Sequence, residues 1–123
     1  MTAWLALEPE QISPGAHAGI DRARASGEAL AICDITMLEL AMLAKKNRIQ
    51  LQTSLEVFLQ QIESRFRVLP ITAKACLCAA ALPSSYPNDP ADRIIGATAI
   101  VEGLSLVTAD QAIKASGAVR TIW

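Results

Sequence analysis

An α/β sandwich with a mainly parallel sheet is the fold class that this sequence predicts, on the strength of three observations. The short, largely apolar runs "ALAIC", "FRVLPI", "LSLVT" and "AVRTI" have the length of strands. Segments with helical periodicity and helical punctuation separate them. The runs are also short and apolar enough to be covered on both faces, as strands of a parallel sheet are.

Each element carries its own justification. In "SPGAHAGIDRARASGE", Ser13 is placed to cap a helix, Pro14 to occupy its first position and Gly27 to end it. "ALAIC" (29–33) is strand-like. "DITMLELAMLAKKN" comes next, with Asp34 or Thr36 as cap, an apolar body and a basic end closed by Asn47. Leu55, Phe58, Leu59 and Ile62 recur at i, i+3, i+4 and i+7, which turns one stripe of "TSLEVFLQQIES" inward. "FRVLPI" stops at Pro70, and "TAKACLCAAAL" is a short helix closed by Pro83. The Pro, Ser, Tyr and Asn residues after it form a loop. "DPADRIIGATAIVEG" is a helix from Pro90 to about Glu102, with Gly103 past its end. "LSLVT", the short helix "ADQAIKAS" and the terminal strand "AVRTI" complete the chain.

Length and composition narrow the function classes. With 123 residues and 52% hydrophobic side chains, the chain forms one domain, 1–123, with enough apolar surface for a core. The net charge of −1 gives no global attraction to nucleic acid, so a polyanion must be met locally. The cysteines Cys33, Cys76 and Cys78 are odd in number and lie among apolar residues, which fits reduced thiols better than a disulfide framework. His17 is the only histidine and sits in a polar segment, so a His-based zinc site or a nucleophile–histidine pair has no good base. No apolar run is long enough to span a bilayer, and the amino terminus lacks the pattern of an export signal. The expected location is cytoplasmic.

The acidic residues carry the chemistry. Strands of a parallel sheet end on one edge, where the next helices start and where such folds place a ligand crevice. Glu39 lies in the first turns of the helix after "ALAIC", and Asp110 directly follows "LSLVT". Asp92 is the third residue of a helix capped by Asp89 and opened by Pro90. All can meet at that edge. Carboxylates brought together raise one another's pKa unless a proton, a basic group or a cation compensates. A hard ion such as Mg²⁺ suits oxygen ligands and is commonly shared with substrate phosphate, which points to phosphoryl-group chemistry.

Simpler roles exist for every acid. Thr36 to Glu39 fits a capping box, although Glu39 is the only charge between Met37 and Ala44 and needs a partner in an otherwise apolar stretch. Asp92 and Asp110 are favoured by a helix dipole in any first turn. Asp89 is a cap, and Asp21, Glu28 and Glu102 read as solvated surface charges.

Taken together, "ITMLELAML", "DPADRIIGATAIVEGLSLVTAD" and "AVRTIW" resemble the PIN-domain ribonucleases, in particular VapC-type toxins of bacterial toxin–antitoxin systems, over nearly the whole chain. The resemblance places the family's second, third and fourth acids on Glu39, Asp92 and Asp110, as catalytic residues and metal ligands, with Thr108 in support. It implies a three-layer α/β/α sandwich, Mg²⁺ or Mn²⁺ at the acids, endonucleolytic cleavage of RNA, a cognate antitoxin protein that blocks the site, and a homodimer. Arg93 is a candidate contact to phosphate or to a neighbouring carboxylate, or alternatively a salt bridge at a helix start. Lys45, Lys46 and Arg48, at the far end of the Glu39 helix, read as a solvated helix end.

One departure stands out. The family opens with an apolar strand ending in an aspartate, the first metal ligand, on the central strand, whereas this sequence begins at "MTAWLALEPEQISP", which matches the segment just past that strand. The expectation is a fold short of its first strand: a truncated or mis-started version of a longer protein, a degenerate member, or a chain in which another segment fills the gap. Asp34 is a conceivable substitute ligand, though its position favours capping. The alternative function is therefore a catalytically impaired PIN-like domain that acts through protein binding. A receiver-like signalling domain fits less well, because its acidic pair, phosphorylatable aspartate and lysine have no counterparts in place.

Overall fold

Side chains placed just before the helices set where most of them start. In the computed structural model, which describes residues 13–27, 30–47 and 50–123, Ser13 Oγ accepts the N–H of Ala16 at 3.1 Å and Pro14 opens α1 (Pro14–Ala25). The chain passes through β1 (Ala31–Cys33) into α2 (Asp34–Lys45). Ser54 caps α3 (Leu55–Arg65) through the N–H of Val57, and β2 (Arg67–Leu69) comes next. Thr72 caps α4 (Ala73–Ala81), and Asp89 caps α5 (Pro90–Glu102). After β3 (Leu106–Val107), Asp110 caps α6 (Gln111–Ser116), and β4 (Thr121–Ile122) closes the order. Each such cap stabilises its helix by about 1 kcal/mol. Gly103 ends α5 at φ 69°, a left-handed conformation that glycine adopts without steric penalty.

One helix start differs from the sequence expectation. Neither Asp34 nor Thr36 caps α2: the cap is Cys33, still extended at φ −78° and ψ 146° and without a side-chain cap bond. The strand runs into the helix with no linker, so its last residue serves as the boundary. Asp34 becomes the first helical residue, and its carboxylate turns across the sheet edge to accept the N–H of Ile71 at 3.3 Å, with the Cys33 thiol at 3.8 Å. Thr36 lies inside the helix, buried, and its hydroxyl finds no hydrogen-bond partner among the described residues. The capping-box role for Glu39 is thereby removed, since Thr36 is not at the cap.

Strand pairing is parallel, as the sequence predicts, but comes as two ribbons. β1 pairs with β2 in the register Ala31–Arg67, Ile32–Val68 and Cys33–Leu69, and β3 pairs with β4 in the register Leu106–Thr121 and Val107–Ile122. Among the described residues no strand joins β1 to β3. A cavity of about 690 Å³ lies between the ribbons, with α1 residues such as Ile20 and Ala23 on its wall and Ile95, Thr98 and Ala99 of α5 facing it.

The core is divided in the same way. Ile32, Leu40, Phe58, Ile62 and Phe66 pack around the first ribbon. Leu82, Tyr86, Ala99, Leu106, Ile113 and Val119 pack around the second. Ala16, Ile20 and Val107 form a smaller group beside Ile122 and Trp123. The stripe read from α3 is real: Phe58 and Ile62 are buried and Leu55 and Leu59 half-buried. Among the described residues no helix is long and apolar enough to cross a membrane. Glu28 and Arg48 lie outside the described residues, as does the segment "MTAWLALEPEQI".

Candidate active site

Both ribbons feed their carboxyl ends into helix starts. β1 leads straight into α2, which carries Glu39 in its second turn, and β3 leads through Thr108 to Asp110. Helix α5 packs on α2 and α4, which brings its amino-terminal turn, with Asp92, toward the same region.

The side chains are held to different degrees. Thr108 is buried and its hydroxyl accepts the N–H of Asp110 at 3.1 Å, which fixes the backbone of the acid after β3. Asp110 in turn spends one carboxylate oxygen on the N–H of Ile113 at 3.0 Å. Asp92 has its N–H tied to Asp89 Oδ1 at 3.1 Å and its carbonyl to the Tyr86 hydroxyl at 2.9 Å, so the turn is pinned while its carboxylate takes part in none of these bonds. Glu39 is exposed.

Electrostatics links the acids through Asp92. Partial burial, then the charges of Asp89 and Asp110, raises the Asp92 carboxyl above the ordinary carboxylate range. Partial desolvation also raises Glu39, followed by the charges of Asp92 and Asp89. Asp92 therefore lies in the field of Asp110 and itself acts on Glu39, as expected of carboxylates drawn toward one region. Closure is incomplete: among the described residues, no group of three or more Asp, Glu, His or Cys side chains is placed to hold one metal ion. The donor chemistry nonetheless suits a hard divalent cation, because every candidate atom is a carboxylate oxygen and such ions are often held by only one or two carboxylates. The like-charge pressure on Asp92 is what a cation there would relieve.

Within the described residues the Arg93 guanidinium donates to main-chain carbonyls: Ala79 at 3.1 Å, Leu82 at 2.8 Å, Pro87 at 3.3 Å and Tyr86 at 3.4 Å. These carbonyls lie around the end of α4 and in the loop beyond it; Ala79 O also accepts the N–H of Leu82 at 3.4 Å, and the planar guanidinium supplies donors to all four at once.

Tyr86 is not legible as a site residue in the sequence, where it falls in a polar loop. It is 1% exposed, bonded to the backbone of Asp92, and its hydroxyl is pushed up to about 12 by burial and then by the charges of Asp92 and Asp110. The only hint is a large aromatic in a loop of otherwise small residues. Asp34, engaged with Ile71, takes a structural rather than a ligand position. Cys33 is buried beside Thr98 with the Sγ–Oγ1 distance at 3.9 Å, and burial raises its thiol above the ordinary range.

Parallel strands whose carboxyl ends lead into helix starts define an α/β class of protein, and comparison with known proteins narrows it. Residues 3–118 match the PIN domain. The chain is similar to Ribonuclease VapC22 of Mycobacterium tuberculosis, with 41% identity over 98% of this chain and 91% of that protein. The chain belongs to the PIN-domain family. Among solved structures it is similar to a toxin-antitoxin complex from Klebsiella pneumoniae (30% identity, TM-score 0.52, 65% of this chain and 62% of that one). It also shares the fold of VapBC2 from Rickettsia felis, solved bound to a DNA fragment from its promoter (19% identity, TM-score 0.63, 86% and 82% covered).

Proposed function

We infer that this chain is an endoribonuclease toxin that hydrolyses RNA phosphodiester bonds with Mg²⁺ or Mn²⁺, and that a cognate antitoxin protein neutralises it. The observation that supports this reading most is the coupling of Glu39 and Asp110 through Asp92 at one edge of a PIN fold. The similarity to Ribonuclease VapC22 and to the Klebsiella pneumoniae toxin-antitoxin complex supports RNA as the substrate class and an antitoxin as the partner. The same reading makes the protein cytoplasmic and a homodimer.

The residues divide the work. Glu39, Asp92 and Asp110 offer the oxygen ligands. Thr108 fixes the backbone of Asp110, and Asp89 and Tyr86 fix that of Asp92. Glu39, Asp92 and Asp110 would hold a divalent cation, which when bound would supply Lewis-acid stabilisation of charge on the phosphoryl oxygens. In the hydrolysis, a bond forms between a water oxygen and phosphorus and the bond to the leaving ribose oxygen breaks. A carboxylate of the cluster with a raised pKa is suited to take or hold the water's proton. Arg93 acts indirectly, by holding the loop that carries Tyr86.

The test is cleavage of a labelled RNA by the purified chain with Mg²⁺ or Mn²⁺. Cleavage that needs the cation and falls by about a hundredfold or more in Asp92→Asn, the scale of losing one fixed electrostatic stabiliser, supports the reading. Cleavage that persists in Asp92→Asn refutes it. The incomplete closure of the acid cluster favours a second reading, a catalytically impaired domain that acts through protein binding. Antitoxin binding with no cation-dependent cleavage selects that one.

A further inference from the structure

We propose that Trp123 is a stacking platform for an RNA base that flanks the cleaved phosphate; its role in cleavage rests on the nuclease reading, while the contact itself is testable without it. Position, seating and charge each support this.

The position follows from one chain of hydrogen bonds. β3 and β4 are parallel with Val107 opposite Ile122, and the N–H of Thr108 donates to Ile122 O at 3.1 Å, so Trp123 comes beside Thr108 at the carboxyl end of this ribbon. Thr108 Oγ1 in turn accepts the N–H of Asp110 at 3.1 Å. With paired strands about 4.8 Å apart and about 3.3 Å per residue along each, the backbones of Trp123 and Asp110 are within about 10 Å of each other. An indole spans much of that gap.

The seat is built by α1. A Cβ on Gly15 would run into the main-chain carbonyl of Trp123, and one on Gly19 would stand 3.0 Å from the Ile122 side chain. Glycine weakens a helix, so this pair marks a close approach that the packing of the strand end requires. Trp123 packs against the group formed by Ala16, Ile20 and Val107 and still keeps exposed surface. Phe58, Phe66 and Tyr86 are buried. Trp123 is therefore the aromatic residue, among those described, that a base can reach.

Charge decides what kind of contact is useful there. RNA approaching Asp92 and Asp110 meets like charge, and a chain of net charge −1 offers no general attraction to offset it. Arg93, next to Asp92 in the chain, donates to main-chain carbonyls. Stacking does not depend on charge: an unpaired base lays its π-face on an aromatic ring, which is how proteins commonly hold single-stranded RNA. Trp123 thus serves binding and placement, and the acids serve the chemistry.

The experiment has two arms. In the first, short single-stranded RNAs with 5-iodouracil at successive positions are irradiated with the 123-residue chain, once with a chelator to prevent cleavage and once with Mg²⁺, and the adduct is mapped by mass spectrometry. An adduct on Trp123 is expected. Adducts only at other residues, or none, overturn the proposal. This arm uses the unaltered chain and holds its meaning whether or not RNA is cut, so a failure of the nuclease reading shows separately, as RNA left intact with Mg²⁺ and with Mn²⁺.

The second arm is cleavage kinetics with RNAs carrying one abasic nucleotide at successive positions around the cut. Trp123→Ala should raise KM by about tenfold with kcat changed little, and Trp123→Phe should recover most of the loss, on the scale of one stacked base. One abasic position should weaken the parent chain by a similar factor and leave Trp123→Ala no worse than with intact RNA. An unchanged KM in Trp123→Ala overturns the proposal. So does an abasic profile that is the same in both proteins, which would make the residue structural only. If Trp123→Ala loses its folded far-ultraviolet spectrum, Trp123→Phe and the adduct map decide.

Discussion

Tyr86 and Gly96 claim the same space: a Cβ on Gly96 would run into the Tyr86 phenol, whose hydroxyl bonds Asp92 O at 2.9 Å. Gly-to-Ala in the middle of a helix ordinarily stabilises by about 1 kcal/mol. Here overpacking of about 1–3 kcal/mol opposes that gain, so Gly96→Ala is expected to be destabilising and to release Tyr86 from Asp92. Tyr86→Phe should lose about 1 kcal/mol for the hydrogen bond. Urea unfolding of both variants checks the sign and the order.

Arg93 is predicted to matter for folding more than for RNA. Loss of its charge-assisted bonds to carbonyls in Arg93→Lys should destabilise the chain by about 2 kcal/mol or more, because a point ammonium cannot span the same acceptors. The measurement is thermal unfolding beside the salt dependence of RNA binding. The melting point should drop while the salt slope holds.

The raised carboxyls set a pH dependence with a definite sign. Ordinary values for Glu39 and Asp92 are 4.5 and 3.8, and both are higher in the fold. Between those values and the raised ones the folded chain holds more protons than the unfolded chain. Their contribution to stability is therefore fully present below the ordinary values and lost as pH rises through the raised ones. Asp92→Asn should raise the neutral-pH melting temperature and flatten its decline from mildly acidic to neutral pH in the absence of divalent ions. An unchanged profile would contradict the coupling.

Thr36→Val should leave stability unchanged or raise it by about 1 kcal/mol, since the buried hydroxyl has no partner among the described residues and its removal relieves a desolvation penalty. Denaturant unfolding decides it.

The parts of this fold that local chemistry dictates are readable in the chain. Ser13, Ser54, Thr72, Asp89 and Asp110 cap helices through their own side chains. The stripe of α3 results from a spacing of three and four residues. Asp92 is the third residue of its helix because Asp89 and Pro90 fix the start. The hidden parts depend on distant partners. The boundary of α2 is set by a strand that ends without a linker, so Asp34 and Thr36 look like caps and are not. Arg93 and Tyr86 owe their roles to carbonyls brought near only by the packing of α4 on α5, which no local pattern encodes. The division of the sheet into two ribbons is tertiary in the same sense. The ligand roles of Glu39, Asp92 and Asp110 belong to the proposed nuclease function.

The most direct test of that function is calorimetric titration of Mn²⁺ into the chain and into Asp92→Asn. The account predicts saturable binding of Mn²⁺ to the parent chain and its loss in the variant, because Asp92 is the carboxylate proposed to share the ion with Glu39 and Asp110. No saturable heat with the parent chain, or the same isotherm for both proteins, would contradict it.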